Sequence, residues 1–422
     1  MDHAAHVHAL EPARVAPRDH RRARRVFAAI LLPALALTLY GLGALWPRGE
    51  QPVLDTSAPG STVRVLTVEG VDPGAEPGQE VTATLGDGTA VVVSVPPEYL
   101  DEVGAGDRLR VVDLGSDDVY GDLGTPYVFL DFVRGPPLAA LGIVFGVLVL
   151  LVARWRGLGA LVGLGLAFGV LGVFTLPALL AGMPALPVAL VSSSLIMFVV
   201  LYLAHGVSLR TSTALLGTLV GLVLTAGIAA WATGAAHLTG LSDEYALDLR
   251  NVAPAMSLRD VLLCGMVLAG LGVLNDVTIT QASAVWELRA ADPAASRRDL
   301  FTRGMRIGRD HIASTVYTIA FAYVGAALPL VLLVSVADRA LLESLTSGEL
   351  AEEVARTLVG SIGLVLAIPV TTAIAALVVS AGARPPDQDR RLEQDPDHRR
   401  DRDRDRDHDR DHGPRPHDAT AP

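Results

Sequence analysis

A row of polar side chains follows one long apolar run, in the segment GVLNDVTITQASAVWEL at residues 272–288. If this segment is helical, Asp276, Thr280, Ser283 and Glu287 lie on one face, because they are spaced by four, three and four residues. Acids and hydroxyls in membrane segments mark ion, proton or substrate paths more often than lipid-facing surface. Small residues precede Asp276 on this face and predict close packing against another helix. They are Gly265, Ala269 and Gly272.

A second polar group stands at the start of the next apolar run, in LFTRGMRIGRDHIASTVYTIAFAYVGAALPL. Its Arg309 can attract an anion or hold a carboxylate charged, and its histidine is the side chain best suited to change charge near neutral pH. The two segments together give a predicted binding site for a substrate or ion. Its candidate residues are Asp276, Thr280, Gln281, Arg309, Asp310 and His311.

A purely structural role for these residues is the main alternative. Asp276 can pair with Arg306 or Arg309, Asp310 can cap the helix that follows, and Ser296 can start a short interfacial helix. An intramembrane hydrolase would need Asp276 and Asp310 as a dyad deep in the membrane, and neither position looks deep, so this reading ranks last. The sequence therefore predicts no catalytic residue, no enzyme activity, no cofactor and no metal site.

The apolar residues of the chain gather into runs that are long enough to cross a bilayer, which takes about 20 residues of helix. This pattern predicts a polytopic α-helical membrane protein of about eight spans. The predicted spans are Val26–Trp46, Pro137–Ala153, Leu158–Ala181, Pro184–Ala204, Ser212–Ala236, Leu258–Asp276, Ile312–Val336 and Val354–Ala381.

The arginines predict the orientation of these spans, because basic residues of short loops stay in the cytoplasm. The leader RDHRRARR, the segment RWR and the arginine-rich loop around residues 289–309 all fall on the inner side. We therefore expect both termini in the cytoplasm and residues 47–137 outside it. A cleaved signal peptide is the alternative for the first span; the long apolar run and the lack of a clear cleavage site favour an uncleaved anchor.

The segment between the first two spans has the pattern of a small β domain. Five stretches alternate in polarity, namely TVRVLTV, EVTATL, AVVVSV, DRLRVVDL and YVFLDFV, and turn signals separate them. Five short strands predict a small β-barrel-like domain of OB or SH3-like type. The segment carries 16 acidic residues and five arginines, so its net charge of −11 equals that of the whole chain. Nucleic acid is therefore not an expected partner.

The predicted domain organisation follows from these patterns. A basic cytoplasmic N-terminus (1–25), a membrane anchor (26–46) and an extracytoplasmic acidic β domain (61–134) precede a seven-helix membrane domain (136–381). A tail of alternating charges at 384–422 has no apolar face and is predicted to be disordered in the cytoplasm.

The polar segments also resemble a known family. LGVLNDVTITQASAVWEL, the segment that begins LFTRGMRIGRDH, and TGLSDEYA are similar to the signature blocks of the YibE/F family of bacterial multi-pass membrane proteins. The resemblance covers residues 136–380 together with the preceding anchor and external domain. It implies this architecture and a location in the bacterial plasma membrane, but it implies no mechanism and no catalytic residues.

These observations favour a secondary transporter or permease that moves a small solute or ion through the polar cluster of the sixth and seventh spans. The chain has no P-loop motif, so ATP-driven transport by this chain alone is not expected. The alternative is a non-transporting sensor or assembly component whose external β domain binds a partner in the cell envelope. The expected partners are thus the lipid bilayer, a small solute or ion, and such an envelope partner; the sequence does not indicate an oligomeric state.

Overall fold

The computed structural model describes residues 17–49, 52, 60–72, 74–75, 80–115, 125–241, 246–336, 343 and 345–380. The first 16 residues of the leader and the predicted disordered tail lie outside these ranges. The described residues form two compact units. The helical unit holds those within 1–46, 184–243 and 258–422, and the barrel unit holds those within 47–183 and 244–257.

The elements alternate between the two units along the chain. In chain order they are α1 (Pro17–Ala44), β1 (Thr62–Val71), β2 (Val81–Thr84), β3 (Ala90–Ser94), α2 (Pro97–Leu100), β4 (Arg108–Asp113), β5 (Tyr127–Phe132), α3 (Gly135–Val170), a π-helical turn (Leu171–Thr175), α4 (Leu176–Leu180), α5 (Ala185–His205), α6 (Leu209–Ala235), α7 (Ala246–Val252), α8 (Leu258–Ala291), α9 (Arg297–Ala326), α10 (Leu328–Ser335) and α11 (Gly348–Ser380).

The five strands close into a barrel in the order β1-β2-β3-β5-β4, with β4 paired back to β1. All pairs are antiparallel except β3 with β5, and α2 lies between β3 and β4 in the chain. This arrangement fits the OB-type alternative of the two predicted barrels. Because side chains alternate between the two faces of a strand, every second residue of β1 and β4 points inward. The buried core consists of Leu66, Val68, Val81, Ala83, Val93, Val95, Val103, Leu109 and Val111.

The long helix α3 bends sharply at Arg154, whose backbone is non-helical with φ 54° and ψ −132°. Beyond the bend, a β-carbon built on Gly157 would lie only 2.5 Å from the carbonyl oxygen of Val149. In an uninterrupted helix these residues would be about 12 Å apart along the axis, so the chain changes direction between them.

The helical unit is built around α6, α8 and α11, which share its most extensive contacts. Helices α5 and α9 pack on this central trio, and α1 packs mainly on α5. Ser208 caps α6 by accepting a hydrogen bond from the backbone N–H of Thr211 at 3.1 Å, and Ser296 caps α9 in the same way. The predicted span at Ile312–Val336 is broken, because α10 departs from α9 at an angle of 74°.

Among the described residues, six helices are long and apolar enough to cross a membrane, or seven if α9 and α10 count as one broken span. When α9 and α10 are counted as one span, the prediction of eight differs at Gly135–Leu180, a bent helical segment of 46 residues that contains two of the predicted apolar runs. Its bend at Arg154 lies at the RWR sequence that separates those two runs.

Candidate functional site

Helices α6 and α11 run antiparallel and meet along a row of small residues. Three pairs face each other at intervals of four residues on both helices; they are Gly217 with Thr371, Gly221 with Ala367, and Thr225 with Gly363. A β-carbon built on Gly221 would lie 3.1 Å from Cβ of Ala367, and the other two glycines have still less room. We call these six residues the small-residue seam, because Gly, Ala and Thr let helix backbones approach closely.

Hydroxyl groups join α6 to α8 beside this seam. The hydroxyl oxygens of Thr218 and Thr278 are 2.6 Å apart, and both residues are fully buried. One hydroxyl donates to the other, and the acceptor's own proton can reach a carbonyl of its helix: Ala214 O lies 2.9 Å from Thr218 Oγ1, and Asn275 O lies 3.2 Å from Thr278 Oγ1. The pair thus has partners for both of its protons without any charged group.

Gln281 connects α8 to two further helices. Its side chain is 2% exposed, and its Nε2 donates to the carbonyl oxygen of Gly304 in α9 and to Oγ1 of Thr372 in α11, both at 2.8 Å. Gly308 lies against the same amide, since a β-carbon built there would be 3.3 Å from both terminal atoms. We call Gln281, Gly304, Gly308 and Thr372 the glutamine junction. The two glycines make room for it, one helical turn apart.

The sixth predicted span ends at Asp276, but the helix that contains this residue is longer. Helix α8 does not end near it but continues 15 residues further, to Ala291. Thr278 faces Thr218, which lies about 14 Å along α6 from the start of that helix at Leu209. Asp276 is therefore level with the middle part of α6 instead of standing at the end of the bundle.

The packed face of α8 is also not the predicted one. Asp276 is exposed, and β-carbons built on Gly265 and Gly272 would meet nothing within 4 Å. Thr278 lies about 200° around the helix from Asp276, since each residue turns by about 100°. The buried face instead carries Gly270, Leu274, Thr278 and Gln281. Gly265 and Gly272 therefore do not form the predicted contact with another described helix.

The candidates on α9 stay at its surface. Arg309 and Asp310 are exposed, and His311 is half-buried. Among the described residues no ion pair involves Asp276, Arg309 or Asp310, so the predicted pairing of Asp276 with an arginine does not form. Asp310 lies inside α9 and caps nothing, because α9 already begins at Arg297 with a capping box of Ser296 and Asp299. The predicted interfacial helix is thus the first part of α9.

The structure therefore brings one of the six candidates, Gln281, into the interior of the bundle. Thr280 is half-buried, and its hydroxyl donates to the carbonyl of Asp276 at 2.7 Å, within its own helix. The other five candidates lie at exposed or half-buried positions of α8 and α9.

Several buried oxygens of the helical unit have no hydrogen-bond partner within the described part of the chain. They are Ser193 Oγ, Thr213 Oγ1, Asn275 Oδ1, Thr371 Oγ1 and Ser380 Oγ. Leaving such a group unsatisfied costs about 1–3 kcal/mol, so each of these oxygens favours a polar ligand. Neutral hydroxyl and amide oxygens suit a cation, water or a small polar solute.

Sequence reasoning missed the small-residue seam, although its signal was present. The segments GTLVGLVLT in α6 and GLVLAIPVT in α11 both repeat small residues every four positions. In α3, Gly165 and Gly169 have the same spacing but no close contact, because no atom lies within 4 Å of a β-carbon built on either of them. The repeat shows that a helix can pack closely, but not which helix finds a neighbour.

Comparison with known proteins places these helices in a family. No curated protein and no solved structure matches the chain. The model of the family described as YibE/F-like protein matches residues 141–381, which is more than half of the chain and includes both the small-residue seam and the glutamine junction. The chain, a membrane protein with a small five-stranded barrel, belongs to the YibE/F-like family.

Proposed function

We propose that this protein is a secondary transporter or permease that moves a small solute or ion through the helical unit. The observation that carries the proposal is the row of buried, uncharged polar groups along α6, α8 and α11, which runs from Thr218 and Thr278 to the glutamine junction. Polar side chains inside a membrane bundle are costly and most often serve ions or substrates.

The neutrality of these groups indicates the kind of ligand. Thr218, Thr278, Gln281 and Thr372 offer hydroxyl and amide oxygens but no fixed charge. Such a set can replace part of the water shell of a small cation or solute and still release it. Asp276, Asp310 and His311 lie outside the row, and in this proposal they take and release a proton or cation.

Two irregular helices support the same proposal. Helix α9 breaks at Ala327, with Pro329 in the first turn of α10, and α11 contains Pro369 just before Thr371 and Thr372. A proline inside a helix has no N–H to donate, so Pro369 removes one backbone hydrogen bond of α11. Discontinuous helices near the binding site are frequent in secondary transporters.

The orientation and location belong to the same proposal. The arginine distribution supports cytoplasmic termini and an extracytoplasmic barrel, and the family supports the bacterial plasma membrane. In this orientation the glutamine junction lies nearer the cytoplasmic side.

Thermal unfolding of the full chain in detergent tests the proposal. The wild type, Gln281→Leu and Asp276→Asn are each unfolded with a panel of alkali cations, divalent cations, inorganic anions and pH values. A ligand that binds the folded state raises the apparent unfolding temperature, by an amount that grows with its concentration. We expect at least one ion or pH shift to stabilise the wild type and to stabilise Gln281→Leu much less.

Glu287→Gln is the matched control, because Glu287 lies on the exposed face of α8 that carries Asp276. The control should respond to the panel like the wild type. If no member of the panel separates wild type from Gln281→Leu, or if the control loses the response as well, the polar row is a structural element and the transport proposal fails.

A second function, a sensor or assembly component, is favoured by one observation on the barrel. Val63 and Val65 of β1 are 54% and 41% exposed, and Leu130 of β5 is 50% exposed. Strands β1 and β5 both pair with β4, so these exposed side chains lie on the two strands that flank β4 in the barrel wall and could bind a partner.

Replacement of residues 61–134 by a short linker separates the two functions. A transporter should keep its ligand-dependent stabilisation after the replacement. If the protein is a sensor, chemical cross-linking should capture an envelope partner with the wild type. It should no longer capture that partner with this variant or with Val63→Ser/Val65→Ser.

A further inference from the structure

A wide groove opens in the helical unit between α1, α5 and the start of α6. Its cavity has a volume of about 800 Å³. Most of its wall is apolar, with Phe27, Leu31 and Leu35 on α1 facing Leu195 and Phe198 on α5. From Arg24 to Leu35 the α1 wall is about 16 Å long, which is roughly half the thickness of the hydrocarbon core of a bilayer.

The polar groups of this groove gather where α6 begins. Arg24 comes from α1, and Arg210 and the N-cap Ser208 come from the first turn of α6. Tyr202 Oη and Ser212 Oγ, 3.1 Å apart, line the same region. None of the described residues that line the groove is acidic, and neither arginine forms an ion pair with another described residue. The groove therefore has an apolar length with a positively charged end.

A second, smaller groove lies on the other flank of α1 and has the same composition. Its volume is about 440 Å³, and it is bounded by Val26 and Ile30 of α1 and by Leu377 of α11. Its charged residues are Arg22, in the second turn of α1, and Arg297, the first residue of α9. A pair of arginines thus stands at the same end of α1 on both of its flanks.

We propose that these grooves bind anionic phospholipids of the bilayer, with an acyl chain along the apolar wall and the phosphate at the arginine pair. Arginine pairs bind phosphate oxygens through several N–H groups, and basic pockets between membrane helices recognise lipid head groups. A free phosphate would leave the apolar walls of both grooves unfilled. A neutral lipid would leave both arginine pairs without a counter-charge.

The bound lipid fixes α1 to the bundle. In the groove between α1 and α5 it fills space that protein contacts leave open, so its loss should weaken the docking of α1 without unfolding α6, α8 or α11. This site is separate from the polar row of the proposed function and holds whether or not the chain transports anything.

Native mass spectrometry of the full chain tests this proposal. The purified protein is mixed in detergent with phosphatidylglycerol or with phosphatidylcholine of the same acyl chains, and the bound lipids are counted. We expect the wild type to retain phosphatidylglycerol in preference to phosphatidylcholine. In Arg24→Gln/Arg210→Gln, affinity for phosphatidylglycerol should fall by about 5-fold for each arginine removed, or about 30-fold for both.

Arg21→Gln/Arg25→Gln is the matched control. It removes the same number of charges near the same end of α1, but neither arginine lines a groove. The control should keep its preference for phosphatidylglycerol. Leu195→Trp, which fills the apolar wall, should lower the binding of both lipids, and excess inorganic phosphate should not displace the bound lipid.

Three results would overturn the proposal. Equal retention of the two lipids by the wild type would show that charge does not select the occupant. An equal loss of phosphatidylglycerol affinity in the groove variant and the control would show that only general surface charge is involved. Displacement by inorganic phosphate would make the site one for a soluble anion. Circular dichroism and thermal unfolding of each variant without added lipid show whether it is folded, and the single variants Arg24→Gln and Arg210→Gln serve if the double variant is not.

Discussion

Gly217→Ala is expected to destabilise the helical unit because the small-residue seam has no room for a methyl group. A β-carbon at this position would lie 3.1 Å from Cβ and 3.2 Å from Cγ2 of Thr371, and nearer still to its Oγ1. Nonbonded carbon atoms prefer separations of about 3.5–4.0 Å. Either Thr371 leaves its rotamer, at about 0.5–1.5 kcal/mol, or α6 and α11 move apart and lose dispersion contacts along the seam. We expect this clash to lower the free energy of unfolding by about 1–3 kcal/mol.

Gly227→Ala supplies the reference for this cost. Gly227 lies in the same helix, but a β-carbon there meets nothing within 4 Å. Both substitutions gain the same helix propensity of about 1 kcal/mol, so the difference between them isolates the clash. The free energy of unfolding is measured in mixed micelles with a rising fraction of denaturing detergent, followed by circular dichroism.

Thr371→Ala completes a double-mutant cycle with Gly217→Ala. The Thr371 hydroxyl has no partner within the described residues, so its removal alone should cost less than about 1 kcal/mol. In the double variant at least half of the loss caused by Gly217→Ala should be recovered, because the clashing atoms are gone. The reasoning is refuted if Gly217→Ala and Gly227→Ala have equal stabilities, or if the second substitution recovers nothing.

Three further outcomes follow from other parts of the chain. Gln281→Leu should cost only about 1–2 kcal/mol of unfolding free energy in the same assay, since hydrogen bonds between membrane helices contribute about 0.6 kcal/mol each. Gln281→Glu should cost several kcal/mol at neutral pH, because it buries a carboxylate. Equal losses in the two variants would contradict this expectation. Ser296→Ala removes the cap of α9 and should lower stability by about 1 kcal/mol, and an unchanged stability would show that the capping box does not hold this end. The backbone N–H of Thr89 donates to the Asp87 carboxylate in the β2–β3 turn and lowers the pKa of Asp87. This hydrogen bond should therefore stabilise the fold above about pH 3.9, and the stabilisation should vanish as the pH falls through the folded-state pKa. An NMR titration that places the midpoint of Asp87 at or above about pH 3.9 would contradict this sign.

Much of the architecture follows from local patterns in the sequence. The five predicted strands occur because alternation and turn residues act over a few neighbouring positions, as in the GDG turn where Gly88 has φ +88°. The apolar runs likewise predict the membrane helices. Ser257 and Asp260 predict the start of the sixth span, and α8 begins between them at Leu258.

The site was harder to predict, because it depends on which faces of the helices meet. Both Gly265 and Gly270 are small residues of α8, and nothing in their spacing tells which one finds a neighbour. The structure packs Gly270 against Thr225 and leaves Gly265 without contact. Because the face of α8 that holds Gly270 is the packed one, Gln281 is buried and Asp276 is exposed, although only five residues separate them. The seventh span was predicted to end at Val336, and α10 ends one residue before it, at Ser335. Pro329 indicates a kink in this span, but the sequence does not give the bend of 74° between α9 and α10.

The small-residue seam constrains how sequences of this family can diverge. Its three pairs are fixed in register, so an enlargement on one helix can persist only if the facing residue becomes smaller. Related sequences should therefore change jointly at 217 and 371, at 221 and 367, and at 225 and 363, while Gly227 and Gly265 vary independently of α11. Substitutions at the seam are thus expected to occur in pairs, one on each helix. An alignment of related sequences should therefore reveal the contact between α6 and α11 as correlated changes at these positions.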